Sequence, residues 1–259
     1  MQLEKTGQST SQPGQAAAAS HVGLIRQNNE DSYLVDLDRR LFIVSDGMGG
    51  HQAGEIASRS VITILPQLIQ QKLAGIHPSQ KRDKSLVLRE AILELSRRLR
   101  RESTGQVGLQ GMGATVALAW LEGGQSVAHL AHIGDSRIYL FRQNHLKQLT
   151  EDHSVIALLL KHKDITPEEA QNHPARGRLS RFIGMEGEAY PDVQAVNLRA
   201  GDRLLLCTDG LTTMVSDERI SYLLRTNADA QVACQILVED SNMAGGRDNI
   251  TVVIVDWES

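Results

Sequence analysis

Residues 33–47 read Tyr33-Leu34-Val35-Asp36-Leu37, then Asp38-Arg39-Arg40, then Leu41-Phe42-Ile43-Val44-Ser45-Asp46-Gly47. Two apolar runs flank a short polar turn, which is the signature of a β-hairpin. Further strands are expected at 112–121, 126–133, 137–142, 146–149, 203–208 and 250–256, all rich in aliphatic residues. Two long helices separate the hairpin from the middle strands. The first, 55–73, carries Ile56, Val61, Ile64, Leu65, Leu68 and Ile69 at helical spacing, with Pro66 as a candidate kink. The second, 85–101, carries Leu88, Ile92, Leu95 and Leu99 on one stripe. A helix over 230–238 precedes the last strand. Strands, helices, strands, then a helix and a strand do not make a βαβ alternation, so an α+β layered sandwich is expected. Residues 1–20 are rich in Gln, Ser, Gly and Ala without periodicity, which predicts a flexible tail ahead of one domain over 21–258.

Composition narrows the function classes. Of 259 residues 41% are hydrophobic, enough for a substantial core, and the formal net charge is −4. That balance gives no reason to expect nucleic acid. No apolar run reaches the roughly 18 residues that span a bilayer, so no membrane partner is expected. Two cysteines, Cys207 and Cys234, suggest a reducing compartment, and a cytoplasmic location follows as an expectation. Arg97, Arg98, Arg100 and Arg101 read as a solvated face near a helix C-terminus rather than a docking patch.

The chemistry lies where acids meet strand ends. Asp46 closes one strand and Asp135 follows another through Gly134. Asp209 ends the run 204–207, and Asp248 stands just before the strand that starts at Ile250. Any one of these reads as a turn residue. Four acids abutting buried strands would repel one another if they converged, and hard cations are the natural compensation for such oxygen donors. A second informative segment is Arg26-Gln27-Asn28-Asn29-Glu30-Asp31. Arg26 alone would be a surface ion pair, but at the mouth of an acidic cluster its fork suits a phosphate. The histidines show no zinc-ligand spacing and read as structural.

Rival chemistries lack their motifs. Cys207 has Thr213 where a cysteine-phosphatase loop needs arginine, and there is no G-x-S-x-G elbow. Asp36-Leu37-Asp38-Arg39-Arg40 fails the pattern of an aspartyl-phosphate enzyme. Metal-activated water is left as the nucleophile.

Taken together the segments resemble the PPM family, the type 2C metal-dependent protein phosphatases, in their compact bacterial form. The matching strings run from Gly23-Leu24-Ile25-Arg26 and Asn29-Glu30-Asp31 through Val44-Ser45-Asp46-Gly47-Met48-Gly49-Gly50-His51 and Gly111-Met112-Gly113-Ala114-Thr115. They continue with His132-Ile133-Gly134-Asp135-Ser136-Arg137, Leu149-Thr150-Glu151-Asp152-His153-Ser154, Cys207-Thr208-Asp209-Gly210-Leu211 and Gly246-Arg247-Asp248-Asn249-Ile250-Thr251. The resemblance implies a four-layer α-β-β-α sandwich, two antiparallel sheets flanked by helix pairs. It implies two principal Mg²⁺ or Mn²⁺ ions, held by Asp46, the Gly47 carbonyl, Asp209 and Asp248, with Glu30 acting through water. Asp135 with Asp209 matches a weaker third site, and Arg26 would hold the substrate phosphate. The implied reaction is hydrolysis of phosphoserine and phosphothreonine in proteins by a metal-bridging water or hydroxide, without a phosphoenzyme, opposing a cognate serine/threonine kinase. A monomer is expected. Residues 152–192 take the place of the family's flap, with a helix over 153–162 and with Gly177 where relatives often carry Asn or His. Met48 replaces the histidine of eukaryotic relatives, which leaves the proton donor open between metal-bound water and other groups. A silent scaffold on the same fold, or a phosphatase of small metabolites, are the competing readings; none of the expected metal acids is missing.

Overall fold

The computed structural model describes residues 12–50, 52–74, 83–106 and 108–258; His51 and residues 1–11 of the expected tail lie outside them. The chain runs β1 (Gln12–His21), β2 (Asp31–Asp36), β3 (Leu41–Met48), α1 (Gln52–Ala74), α2 (Lys84–Gly105), β4 (Gly113–Ala114), β5 (Val116–Leu121), β6 (Val127–Ile133), β7 (Arg137–Arg142) and β8 (His145–Gln148). It continues with α3 (Val155–His162), α4 (Pro167–Ala170), β9 (Asp192–Asn197), β10 (Asp202–Cys207), α5 (Asp209–Thr212), α6 (Asp217–Thr226), α7 (Ala230–Met243) and β11 (Ile250–Glu258).

The strands form two antiparallel sheets, ordered β1-β11-β10-β7-β8 and β2-β3-β5-β6-β9, with β4 beside β3. The run Leu41-Phe42-Ile43-Val44 shows why the apolar strands are continuous rather than alternating. Leu41 and Ile43 face α1 and α2, whereas Phe42 and Val44 face the other sheet. A strand covered on both faces needs apolar residues at every position. β10 and β11 repeat the division. Leu204, Leu206, Val253 and Val255 point between the sheets, and Leu205, Cys207, Val252 and Ile254 point toward α5, α6 and α7. Three cores therefore separate four layers, and the α-β-β-α expectation holds.

Three departures from expectation have physical causes. Residues 12–20 are not a tail: β1 pairs along β11 from Gln12↔Glu258 to His21↔Ile250. Alanine has low strand propensity, which concealed it. Here Ala17 and Ala19 lie under α7 while Ala16 and Ala18 face between the sheets. Second, the expected strand 112–121 breaks at Thr115, whose N–H donates to the Asp46 carbonyl at 2.9 Å. Third, β9 and α6 had no counterpart in the expected elements. β9 is polar, and α6 buries only Ile220, Leu223 and Leu224.

Deleting residues 1–21 should lower the thermal midpoint by at least about 10 °C, because it strips an edge strand from β11 and uncovers two cores. Circular dichroism melting checks this. An unchanged midpoint would mean that β1 adds no stability.

Candidate active site

β3 does not stop at Asp46; it runs to Met48, with Gly47 paired to Ala114 and Asp46 opposite Asp31 on β2. Thr115 fixes the acid's backbone from the other side. Its Oγ1 accepts from the Asp46 N–H at 2.8 Å and shares a hydrogen bond with Ser136 Oγ at 2.6 Å, next to Asp135. Glycine is needed here because α1 starts close by: a Cβ at Gly47 would lie 1.9 Å from the Gly54 carbonyl oxygen, and one at Gly54 would lie 2.1 Å from Glu30 Oε2.

Two polar links bring the sheets' edges together. Thr208 Oγ1 donates to Asp31 Oδ2 at 2.8 Å. Asn249 holds the segment from 22 to 30: its Oδ1 accepts from the Glu30 N–H at 2.8 Å, and its Nδ2 donates to the carbonyls of Val22 and Asn28, both at 2.9 Å. Asn249 and Asp31 carry no role in the sequence reading, although both sit inside matching strings.

The result is one cleft of about 730 Å³ whose walls include Arg26, Glu30, Asp46, Gly47, Asp135, Asp209 and Asp248. Every residue expected in the site from sequence lines it. Their charges oppose one another. Burial, then Asp31 and the other cleft acids, push the Asp46 carboxyl well above the ordinary range. Burial raises Asp31 and Asp135 to about 7, with Asp209 adding repulsion to both, and raises Asp209 to about 6, with Asp248 adding repulsion. Asp209 Oδ1 and Asp31 Oδ1 are buried and accept no hydrogen bond. Arg26 Nη2 donates to Asp248 Oδ2 at 2.8 Å, so the ion pair expected of a surface arginine exists, but at the cleft. An all-oxygen donor set with orphaned carboxylate oxygens and mutual repulsion fits hard divalent cations.

The histidines form a different cluster. His132, His153 and Asp192 each place a donor atom within 4.8 Å of the others. His153 Nδ1 accepts from the Gly134 N–H at 3.2 Å, so its hydrogen is on Nε2 and goes to Asp192 Oδ2 at 3.0 Å. A metal on Nε2 would need that hydrogen moved to Nδ1, against the Gly134 N–H. Arg181 also occupies Asp192, at 2.9 Å. Burial lowers the pKa of both imidazoles, His132 to about 3, which keeps them neutral. His153 with Asp192 is therefore a clamp on the turn carrying Asp135, while His132 packs on the His153 ring at 4.5 Å with neither ring nitrogen hydrogen-bonded among the described residues. The His153 N–H donates to the Gly134 carbonyl at 2.7 Å, while its carbonyl receives the Ser180 N–H at 2.8 Å. The expected helix 153–162 begins two residues later, at Val155, capped by Ser154.

A family profile of protein phosphatase 2C matches residues 20–240. The chain belongs to the protein phosphatase 2C family. Among this family's bacterial members, it is 36% identical over 237 residues to the serine/threonine phosphatase stp of Listeria monocytogenes, covering 90% of this chain and 92% of the relative. It is 40% identical over 240 residues to the serine/threonine protein phosphatase PstP of Mycobacterium tuberculosis, across 93% of this chain but 44% of that one. The S. agalactiae serine/threonine phosphatase superposes with a TM-score of 0.83 at 31% identity, covering 93% of this chain and 98% of that one. The catalytic domain of PstP solved with two manganese ions gives 0.73 at 35%, covering 95% and 98%.

Two outcomes test how this phosphatase 2C cleft is built. The raised carboxyls bind protons in the folded state that the unfolded chain releases, so metal-free stability should fall as pH rises from about 4 to about 7. Mn²⁺ or Mg²⁺ should then raise the thermal midpoint more at about pH 8 than at about pH 5. Equal shifts at the two pH values would contradict this charge balance. Asn249→Ala leaves buried groups of the 22–30 segment unpaired and should cost roughly 2–4 kcal/mol in urea unfolding.

Proposed function

We propose that this chain removes phosphate from phosphoserine and phosphothreonine in proteins with the help of divalent Mg²⁺ or Mn²⁺. As a member of the protein phosphatase 2C family it is an enzyme, a serine/threonine phosphatase. The observation that carries the finer reading is the convergence of five acids from five separate stretches on one cleft that also contains Arg26.

Asp46, the Gly47 carbonyl, Asp209 and Asp248 would hold two principal ions, and Asp135 with Asp209 a weaker third. Glu30 would act through water. Bound there, such ions neutralise the acids, polarise the phosphate and bring a water pKa toward about 7. The chain's own groups do the rest. Arg26 uses one nitrogen on Asp248, which leaves the remainder of its fork for phosphate oxygens. Thr115 and Asn249 keep the acids in place through the hydrogen bonds above.

Direct hydrolysis without a phosphoenzyme is supported by what the described walls offer. They include no thiol and no imidazole, and their one side-chain hydroxyl, Thr115, is engaged by Ser136 and the Asp46 N–H. Cys207 is fully buried on β10, its thiol pushed up to about 12 by that burial. A cytoplasmic location, action as a monomer and opposition to a serine/threonine kinase complete the proposal, and the single domain of 21–258 is extended at its start by β1.

Hydrolysis of a phosphothreonine peptide should require Mn²⁺ or Mg²⁺, stop with EDTA, and fall at least about a hundredfold in Asp209→Ala. Turnover without metal would defeat the mechanism. Hydrolysis of p-nitrophenyl phosphate but of no phosphopeptide would favour small metabolites as substrates.

A further inference from the structure

We infer that Arg178 reads an anionic group next to the phosphorylated residue, so that this chain favours phosphorylation sites flanked by Asp, Glu or a second phosphate. The inference rests on the protein-phosphatase reading of the cleft and names the substrate class within it.

The described walls of the cleft carry five acids and two arginines. One nitrogen of Arg26 is engaged by Asp248 at 2.8 Å. The Arg178 guanidinium has no hydrogen bond or ion pair with any described residue, and the residue is exposed. Its neighbours in the same segment are used internally: Arg176 donates to the Gln171 carbonyl at 2.9 Å, and Arg181 donates to Asp192 at 2.9 Å. Only Arg178 of the three lines the cleft.

Its backbone is nevertheless fixed. The Arg178 N–H donates to the Ala175 carbonyl at 3.1 Å, and its carbonyl accepts from the Val155 N–H at 2.8 Å. The next residue, Leu179, bridges to Ser154 at the cap of α3. A guanidinium on a held backbone, with an unbound fork, is preorganised for a planar carboxylate or a phosphate. Arg26 and Arg178 reach the same cleft from different segments of the chain, and the inference gives them different anions: the substrate phosphate to Arg26 and a flanking group to Arg178. A simple ester such as p-nitrophenyl phosphate has no such group, whereas a protein substrate supplies one from a flanking side chain.

The test measures kcat and KM with Mn²⁺ on three phosphothreonine peptides, identical except that the flanking residue is Glu, Gln or phosphoserine. Wild type, Arg178→Ala and Arg178→Glu are compared, and circular dichroism verifies their folding. The readout is the ratio of kcat/KM between anionic and Gln peptides, which cancels any change common to both. Wild type should prefer the anionic peptides roughly three- to tenfold, chiefly through KM. Arg178→Ala should bring the ratio to about one, and Arg178→Glu should invert it. A preference confined to phosphoserine, lost in Arg178→Ala, assigns the second anion to a phosphate. A wild-type ratio of one, or a ratio that survives in Arg178→Ala, overturns the inference alone. No turnover of any peptide overturns the protein-phosphatase reading together with it.

Discussion

The hydrogen bond from Thr208 Oγ1 to Asp31 Oδ2, 2.8 Å long and buried, joins one sheet to the other at the edge where the acids gather. It belongs to a short polar seam. The Thr251 N–H donates to Thr208 Oγ1 at 3.0 Å, Thr251 Oγ1 meets Ser20 Oγ at 2.8 Å, and Asn29 reaches Ser20 at 2.9 Å. The apolar layers alone would let two sheets slide, because dispersion and the hydrophobic effect are non-directional. Directional bonds in a low-dielectric setting fix one registry. With that registry set, Asp46 from one sheet and Asp209 and Asp248 from the other open on the same cleft.

Such a cleft is held together against its own electrostatics. Hydrogen bonds to backbone, at Thr115 and Asn249, hold the acid-bearing segments while the carboxylates repel. Oxygens without partners, on Asp209 and Asp31, mark where compensation is lacking. The fold therefore stores a standing demand for positive charge, which cations in the cleft would meet. Arg26 meets part of it already. The histidine clamp does related work at the third acid: it is neutral, adds no charge, and fixes Gly134, so that Asp135 is presented without further repulsion.

Much of this was legible in the sequence because the signals were local. Apolar runs such as 41–44 and 204–207 are strands whatever their partners, and acids beside glycine at their ends are visible one at a time. Their convergence was not visible; it came through resemblance to a known family. What escaped depended on partners far along the chain. β1 is a strand because β11 offers an open edge and α7 needs small residues beneath it, and neither fact is written in a run of alanines. β9 is polar because part of it faces solvent. α6, by contrast, shows Ile220, Leu223 and Leu224 at helical spacing and could have been found. Asn249 was in plain view beside Asp248, but its three bonds join segments that only the fold brings together.

The pairing of β1 with β11 bears on how the molecule assembles. Ser20 and Thr251, in contact across that pair, stand 231 residues apart in sequence. Closing so long a loop is entropically costly and is repaid only when other contacts already exist. The sheet that carries Asp209 and lies beside Asp248 can thus be completed only after nearly all the described chain has been made. A nascent chain still lacking β11 would have the helices and the other sheet in hand but no competent cleft. The cleft is therefore among the last features of the fold to be completed.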